Sequence, residues 1–446
     1  MLKSVMLVDF GASRVKAVLW SLTQSRVLGS KEYPSPVLKR GPKGEAVGDP
    51  EQYWQALEAT AGILAQFDDS VHDIWLCAEM HGFLLADAVT AKPVTPYISW
   101  QDQRACHRVG DGLSTLDELQ QSMAALLHSE GGMRLRPGLP IVNLACMRHE
   151  LKASGPMQFL TLVDWLLVRG GESSPRCHVT LAAGTGLYSL DRRNWFDDLF
   201  GQAGITTLNL SLPPVKQDLS SPIGEINLKG RSLRVWGGLG DLQAAAHGMG
   251  FPRAAPILIN LGTGSQVMVS SQTLKRDVEL RICAEGQLAQ AVTHIPSGRA
   301  LNTFATFIDD CARVGGGLPF FWRVFAGLNA NKVLDADPCI DLNTFSSSWR
   351  YVDGGKISRI AEGQFSSESF ITALAKSWLI QYVWALGNLS APASCAKFLL
   401  GGGLSRRANF IPLVLESMLA RKSIAVRHRT GEETLDGLLL LAEATC

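Results

Sequence analysis

Asp9, Asp241 and the small residues beside them have the types and spacing that chemistry on a phosphate would need. Asp9 closes the apolar run Val5 to Val8, and Phe10, Gly11, Ala12, Ser13 and Lys16 lead into a second apolar run from Ala17 to Trp20. Two such runs around a short Gly-bearing turn read as a β-hairpin. Gly11 allows close approach to the backbone, so the N–H groups of the turn and the Ser13 hydroxyl can cradle a phosphate. A carboxylate at that strand end can hold a phosphate-bound Mg2+ directly or through water. An ordinary hairpin with a polar turn fits the same residues equally well, and Lys16 fits a surface salt bridge as well as a phosphate contact.

Three later stretches carry related features, and one of them, Ile257 to Val269, repeats the strand–turn–strand logic. Leu233 to Trp236 reads as a strand that ends in a Gly-rich turn at Gly237, Gly238 and Gly240, which delivers Asp241 to the start of a helix beginning at Leu242. On residue type alone, Asp241 is more often a helix cap than anything else. Ile257 to Val269 is again apolar strand, small-residue turn (Gly262, Thr263, Gly264, Ser265) and apolar strand. Lys397 to Leu400 runs into Gly401, Gly402 and Gly403, then Leu404. That glycine run admits a nucleotide closely or makes a tight βα corner, and it is not a G-x-x-x-x-G-K-[ST] loop.

The elements that must position these residues alternate between strand and helix, which predicts α/β layering. Strands are expected over 4–10, 15–21, 26–33, 71–77 and 83–87, and helices from Asp49-Pro50 to about 67, over 115–127 and over 141–152. A strand leading into a helix is expected over 158–169. At 446 residues the chain is too long for one core, and a break near 232/233 gives domains 1–232 and 233–446. Apolar residues make up 46%, charged residues 19% and net charge is +1, so nothing electrostatic points to nucleic acid or an anionic membrane. Met1-Leu2-Lys3 leads straight into a strand and no long apolar run follows, so a cytoplasmic location is expected, with no secretory leader or membrane span. The nine cysteines are scattered without a Cys-x-x-Cys pair, which fits reduced thiols rather than a disulfide frame or zinc site.

Taken in order, the motifs resemble those of the FGGY carbohydrate kinases, within the actin/hexokinase-like ATPase superfamily. Asp9-Phe10-Gly11-Ala12-Ser13-x-x-Lys16 resembles the family's first phosphate motif, and Leu261-Gly262-Thr263-Gly264-Ser265 its second. Glu79-Met80-His81-Gly82 and Trp100-Gln101-Asp102-Gln103-Arg104 resemble the sugar segments of its ketose kinases. Gly240-Asp241-Leu242-Gln243 sits where the family carries its catalytic Asp. Gly401 to Arg406 resembles the adenosine motif, and Glu432-Glu433-Thr434 with Gly437 to Leu440 the closing helix. Met80-His81 points away from glycerol kinases. Trp100 to Arg104, Gly240 to Gln243 and Asn302 to Phe307 look most like sedoheptulokinases.

The resemblance implies two actin/hexokinase-like (ribonuclease H-like) domains with an interdomain cleft, and an ATP- and Mg2+-dependent kinase of a ketose. Sedoheptulose is favoured and xylulose or another pentulose is the alternative. Asp241 would be the base, and Asp9 with Asp241 would hold the metal. Gly11, Ala12, Ser13, Lys16, Gly262, Thr263, Gly264, Gly402, Gly403 and Leu404 would bind ATP. Glu79, Met80, His81, Trp100, Asp102, Arg104 and Gln243 would bind the sugar, with a neutral His81 donating one hydrogen bond and accepting another. Met80, His81 and Trp100 also fit as core residues, and Asp102 and Arg104 fit as a mutual pair. The partners are the sugar and ATP, and a homodimer is compatible with this reading. Glu79 stands where the family has Gln, and Ala12 and Gly264 stand where it has hydroxyl residues. The family's Gly-Glu-Arg-Thr-Pro loop is not evident around Ser346 to Gly355. Those departures raise a second expectation, a sugar- or nucleotide-binding protein on this scaffold with weakened catalysis.

Overall fold

The computed structural model describes residues 3–66, 71–108, 110–151, 155–262, 264–270, 277–337, 340–345, 348–352, 354–362, 365–426 and 428–445. Thr263 of the second phosphate motif, and Ser346, Ser347 and Asp353, lie outside the described residues. The chain forms two compact units: Met1–Gly248 with Leu280–Leu288 and His428–Cys446, and Met249–Glu279 with Ala289–Arg427.

The first unit is built on a sheet of six strands: β1 (Ser4–Phe10), β2 (Arg14–Ser21), β3 (Arg26–Pro34), β4 (Val71–Ala78), β5 (Gly224–Leu228) and β6 (Arg231–Gly240). Their order is β5-β6-β4-β1-β2-β3. Every residue of β1 is buried, as the apolar run predicts for a strand covered on both faces. β1, β2 and β3 form an antiparallel meander, while β4 runs parallel to β1 and β6 parallel to β4. Register sets Asp9 beside Cys77, and Gly240 beside Ala78. The carboxyl ends of β1, β4 and β6 therefore finish side by side, the edge at which ligands bind open α/β sheets.

The expected break at 232/233 is not where the chain divides. β6 cannot leave the first unit, because it is hydrogen-bonded between β4 and β5 in that unit's sheet. The glycines before Asp241 are not a turn either. Gly237 (φ +79) and Gly238 (φ +66) sit inside β6, where the register with β4 slips between Gly237 and Leu239. This is a bulge, a device that bends a strand and re-aims the residues beyond it.

The helix Asp241–Gly248 leaves the end of β6 and packs on the helix Glu433–Thr445. The two backbones nearly touch: a Cβ on Gly437 would lie 1.9 Å from Ala244 O, and one on Gly248 would lie 2.0 Å from Glu433 O. This close packing fixes where Thr434 falls. A second sheet of the same unit pairs Phe83–Asp87 with Met157–Thr161, and Phe83 with Ile98 of the short strand Tyr97–Ile98.

Other sequence expectations shift at their ends. The first helix covers Pro50–Ala61, capped by Asp49 as expected, and tightens into a 3-10 turn over Gly62–Gln66. The helix expected over 115–127 is two, Thr115–Ser122 and Ala124–Gly131, meeting at Met123.

In the second unit β7 (Ile257–Asn260), β8 (Gly264–Val269), β9 (Leu288–Pro296), β10 (Lys397–Gly401) and β11 (Lys422–Ala425) follow the order β9-β8-β7-β10-β11. An antiparallel meander with two parallel strands added beside its first member repeats the plan of the first sheet. The buried helix Ser367–Gly387 and the helix Phe410–Leu419 supply much of its core.

Candidate active site

Asp9 is a buried acid near the carboxyl end of β1, 6% exposed. Its Oδ2 accepts a hydrogen bond from Thr434 Oγ1 at 2.7 Å, and its Oδ1 accepts one from the Cys77 thiol at 3.4 Å. Burial pushes its pKa up, against the Thr434 and Cys77 hydrogen bonds and the charge of Lys16. Lys16 itself pairs with Glu432 at 2.7 Å, so the salt bridge weighed from sequence is present. At the hairpin tip Ala12 and Ser13 are exposed, but the Gly11 N–H is spent on Arg14 O.

Asp241 follows the last residue of β6 and opens its helix, with Oδ1 accepting from the Leu242 N–H at 2.8 Å. Its pKa is pushed up to about 7 by burial first, then by the negative charge of Asp9 and, less, of Glu79; the Leu242 N–H opposes the rise. A carboxyl that titrates near neutrality is suited to general-base work.

Beyond β4 lies the segment Glu79 to Gly82. Glu79 is buried and spends one hydrogen bond on each oxygen: Tyr97 OH donates to Oε1 at 2.8 Å and Trp100 Nε1 to Oε2 at 3.0 Å. Burial raises its pKa against both bonds. Gly82 makes this possible, since a Cβ there would stand 1.7 Å from the Tyr97 hydroxyl. Glu79 thus fixes the indole of Trp100, which is 38% exposed and offers a face to sugar C–H groups.

His81 has a left-handed backbone (φ +68), strained for a residue with a side chain and typical of functional segments. The expectation that both its ring nitrogens are available to a polyol is not met. Nδ1 lies 2.5 Å from Gly184 O, and Nε2 lies 3.2 Å from an Arg136 guanidinium nitrogen. A carbonyl only accepts and a guanidinium only donates, so the proton is on Nδ1 and the imidazole is neutral. Met80 is buried against Gly184 and Gly240. Gln243 is 2% exposed, and its Oε1 has no partner among the described residues, a buried acceptor aimed toward Gly240.

Asp102 is turned into the protein. It is 0% exposed, and its oxygens accept from the Ala46 N–H and from the Arg104 N–H, Nε and Nη2. The mutual pair is what forms, and Asp102 holds Arg104 and the backbone at Ala46 rather than a sugar.

In the second unit the Gly262 N–H turns inward to Ser265 Oγ at 3.2 Å, and Gly264 opens β8. Of the adenosine segment, Gly402 (φ +87) is needed for protein packing: a Cβ there would lie 2.4 Å from Leu261 O. Leu404 belongs to the core, and its N–H bonds Leu261 O, so neither its side chain nor its N–H is open to a nucleotide. Gly403 is exposed with open space around it.

No site role was read from the sequence for Thr434, Cys77, Tyr97 or Arg136. Strand register brings Cys77 to Asp9, the helix packing at Gly437 brings Thr434 there, and Arg136 reaches His81 from a loop 55 residues on. Among the described residues no three His, Cys, Asp or Glu side chains gather into a metal cage. The pair Asp9 and Asp241, each raised by burial and Asp241 further by the charge of Asp9, fits the other way of holding Mg2+: one or two carboxylates, with waters and phosphate oxygens completing the shell.

The profile of the FGGY family of carbohydrate kinases, N-terminal domain, matches residues 4–248, which is the first unit up to the end of the helix that Asp241 opens. An apulose kinase of Pectobacterium atrosepticum is 26% identical over 324 residues, covering 66% of this chain and 62% of its own length. A xylulose kinase of Klebsiella pneumoniae is 26% identical over 281 residues, 59% of this chain and 54% of its own. The chain thus spans between half and two thirds of the curated relatives it matches. Among solved structures, a gluconate kinase from Lactobacillus acidophilus superposes with a TM-score of 0.81 at 15% identity, over 100% of this chain and 89% of that one. The shared architecture is the two-domain actin/hexokinase-like α/β fold. With this match extending over more than half of its length, the chain belongs to the FGGY family of carbohydrate kinases.

Proposed function

We propose that this protein is an ATP-dependent, Mg2+-requiring carbohydrate kinase that phosphorylates a primary hydroxyl of a ketose, with sedoheptulose as the favoured acceptor. The observation that carries the reading is Asp241, a carboxyl raised to about 7 at the carboxyl end of β6, within the field of Asp9. Phosphoryl transfer asks the protein mainly for positioning, charge neutralisation and one base. Asp241 takes the proton of the acceptor hydroxyl as that oxygen bonds the γ-phosphorus and ADP leaves. Mg2+ held by Asp9, with or without Asp241, would neutralise charge on the phosphate oxygens. Ser13 and the exposed tip of the first hairpin are offered to phosphates, and Gly403 to the nucleotide. Trp100 supports the reading with an apolar face, Arg104 and Arg136 with donors, and Gln243 Oε1 with a buried acceptor that a sugar hydroxyl would satisfy.

The preference for a seven-carbon ketose rests on the resemblance of Trp100 to Arg104 and Gly240 to Gln243 to sedoheptulokinases. D-Xylulose is the second reading, favoured by the relative named a xylulose kinase. The test is ADP release by the full chain with sedoheptulose, D-xylulose, ribulose, fuculose and glycerol. Release with a ketose that Asp241→Asn abolishes supports the reading. Tight sugar and ATP binding with no release from any acceptor replaces it with a binding protein on the same fold.

A further inference from the structure

We propose that Thr180 and His178, which line no surface, are positioning residues that set the aim of Asp241. This rests on the kinase reading only for its catalytic readout. The bulge at Gly237 and Gly238 leaves the end of β6 in need of an anchor, because bulged residues step out of the ladder. That anchor is a side chain. Thr180 Oγ1, fully buried, accepts the main-chain N–H of Gly240, the residue before Asp241, at 3.1 Å.

The hydroxyl is itself oriented. Thr180 Oγ1 lies 2.9 Å from His178 Nδ1, and the Thr180 N–H also reaches that nitrogen, at 3.4 Å. Nδ1 is thus the acceptor, the imidazole proton sits on Nε2, and the Thr180 hydroxyl donates to Nδ1 with its lone pair turned to Gly240. Nε2 has no partner among the described residues. Burial and the nearby Lys216 ammonium hold the His178 pKa down to about 3, against the charge of Asp218. The ring stays neutral and keeps Nδ1 as an acceptor across the working range. Gly238 fits the same corner: a Cβ on it would lie 3.8 Å from His178 Cβ and 2.7 Å from Ile223. The order of dependence runs from His178 to Thr180, to the Gly240 N–H, to Asp241.

The experiment compares Thr180→Val with Thr180→Ser, and His178→Ala with His178→Asn, in the full chain. Thr180→Val keeps shape and removes the acceptor, and Ser restores it. Asn presents an oxygen near the position of Nδ1, and Ala does not. A misplacement on the order of 1 Å costs ~10²-fold, so kcat in Thr180→Val falls about ten- to hundredfold while KM for the sugar stays within about threefold. Thr180→Ser and His178→Asn recover most of that loss. In parallel, hydrogen exchange at the Gly240 amide is slow in the wild type and Thr180→Ser and fast in Thr180→Val. Wild-type kcat together with a still-protected Gly240 amide in Thr180→Val overturns the proposal. If the wild-type protein phosphorylates nothing, the kinase reading fails, and the Gly240 amide alone still decides whether Thr180 holds the strand end.

Discussion

Asp9 raises the pKa of Asp241: after burial, the charge of the first carboxyl is the largest influence holding the second up to about 7. The register of β1, β4 and β6 produces this relationship by ending three parallel strands side by side, with Cys77 between them and its thiol donating to Asp9. Two acids at one sheet edge, Asp9 buried and Asp241 half-buried, are costly unless a cation or a proton is shared there.

Asp241→Asn removes the proton acceptor while keeping shape and volume. We expect turnover to fall ~10²–10⁴-fold with sugar and ATP binding largely kept. The base works only when deprotonated, so wild-type kcat at limiting Mg2+ rises with pH through about 7. A variant keeping more than about a tenth of wild-type turnover removes Asp241 from this role.

Neutralising Asp9 removes the second influence on Asp241. In Asp9→Asn the acidic limb of the residual rate moves to lower pH, because the neighbouring negative charge that favoured protonation is gone. In Asp9→Ala the Mg2+ concentration for half-maximal rate rises while sugar KM moves little. An unchanged Mg2+ titration contradicts the metal role of Asp9.

Glu79→Gln leaves a carboxamide that can accept from Tyr97 or Trp100 but turns an N–H toward the other. One hydrogen bond is lost, roughly 0.5–1.5 kcal/mol. We expect a severalfold rise in sugar KM through a looser Trp100, with the KM for ATP unchanged. Equal effects on both would contradict a role confined to the sugar side.

His178 titrates at 6.5 when free and near 3 in the fold. Between those values the unfolded chain binds a proton that the folded chain does not, so the stability His178 contributes is full above about 6.5 and is lost as pH falls toward about 3. Denaturant titrations should show the wild type losing up to ~1.4 kcal/mol per pH unit more than His178→Asn across this window. Parallel pH profiles for the two proteins would contradict a buried, neutral His178.

Much of this was legible in the sequence because it is local. The apolar run ending at Asp9 announced a buried strand and its hairpin, and Asp49-Pro50 announced a helix start. The features that were not legible depend on pairing. Gly237 and Gly238 looked like a turn because φ > 0 serves a turn and a bulge alike, and only the partner strand distinguishes them. Asp102 and Arg104 read as polar ligands, since a sequence does not show that the Ala46 N–H fills the last site on the carboxylate. Leu404 followed a glycine run and looked available, yet its N–H closes on Leu261. Thr434, at the far end of the chain, reaches Asp9 only because Gly437 lets two helices touch.

The most direct measurement is ATP-dependent phosphorylation of sedoheptulose and D-xylulose by the wild type and Asp241→Asn, followed as ADP release at matched Mg2+. The account predicts acceptor-dependent release by the wild type, with kcat/KM for sedoheptulose at least equal to that for D-xylulose, and release at background in the variant. A clear preference for D-xylulose would reject the choice of acceptor. Acceptor-dependent release that survives in Asp241→Asn would contradict the account at its centre.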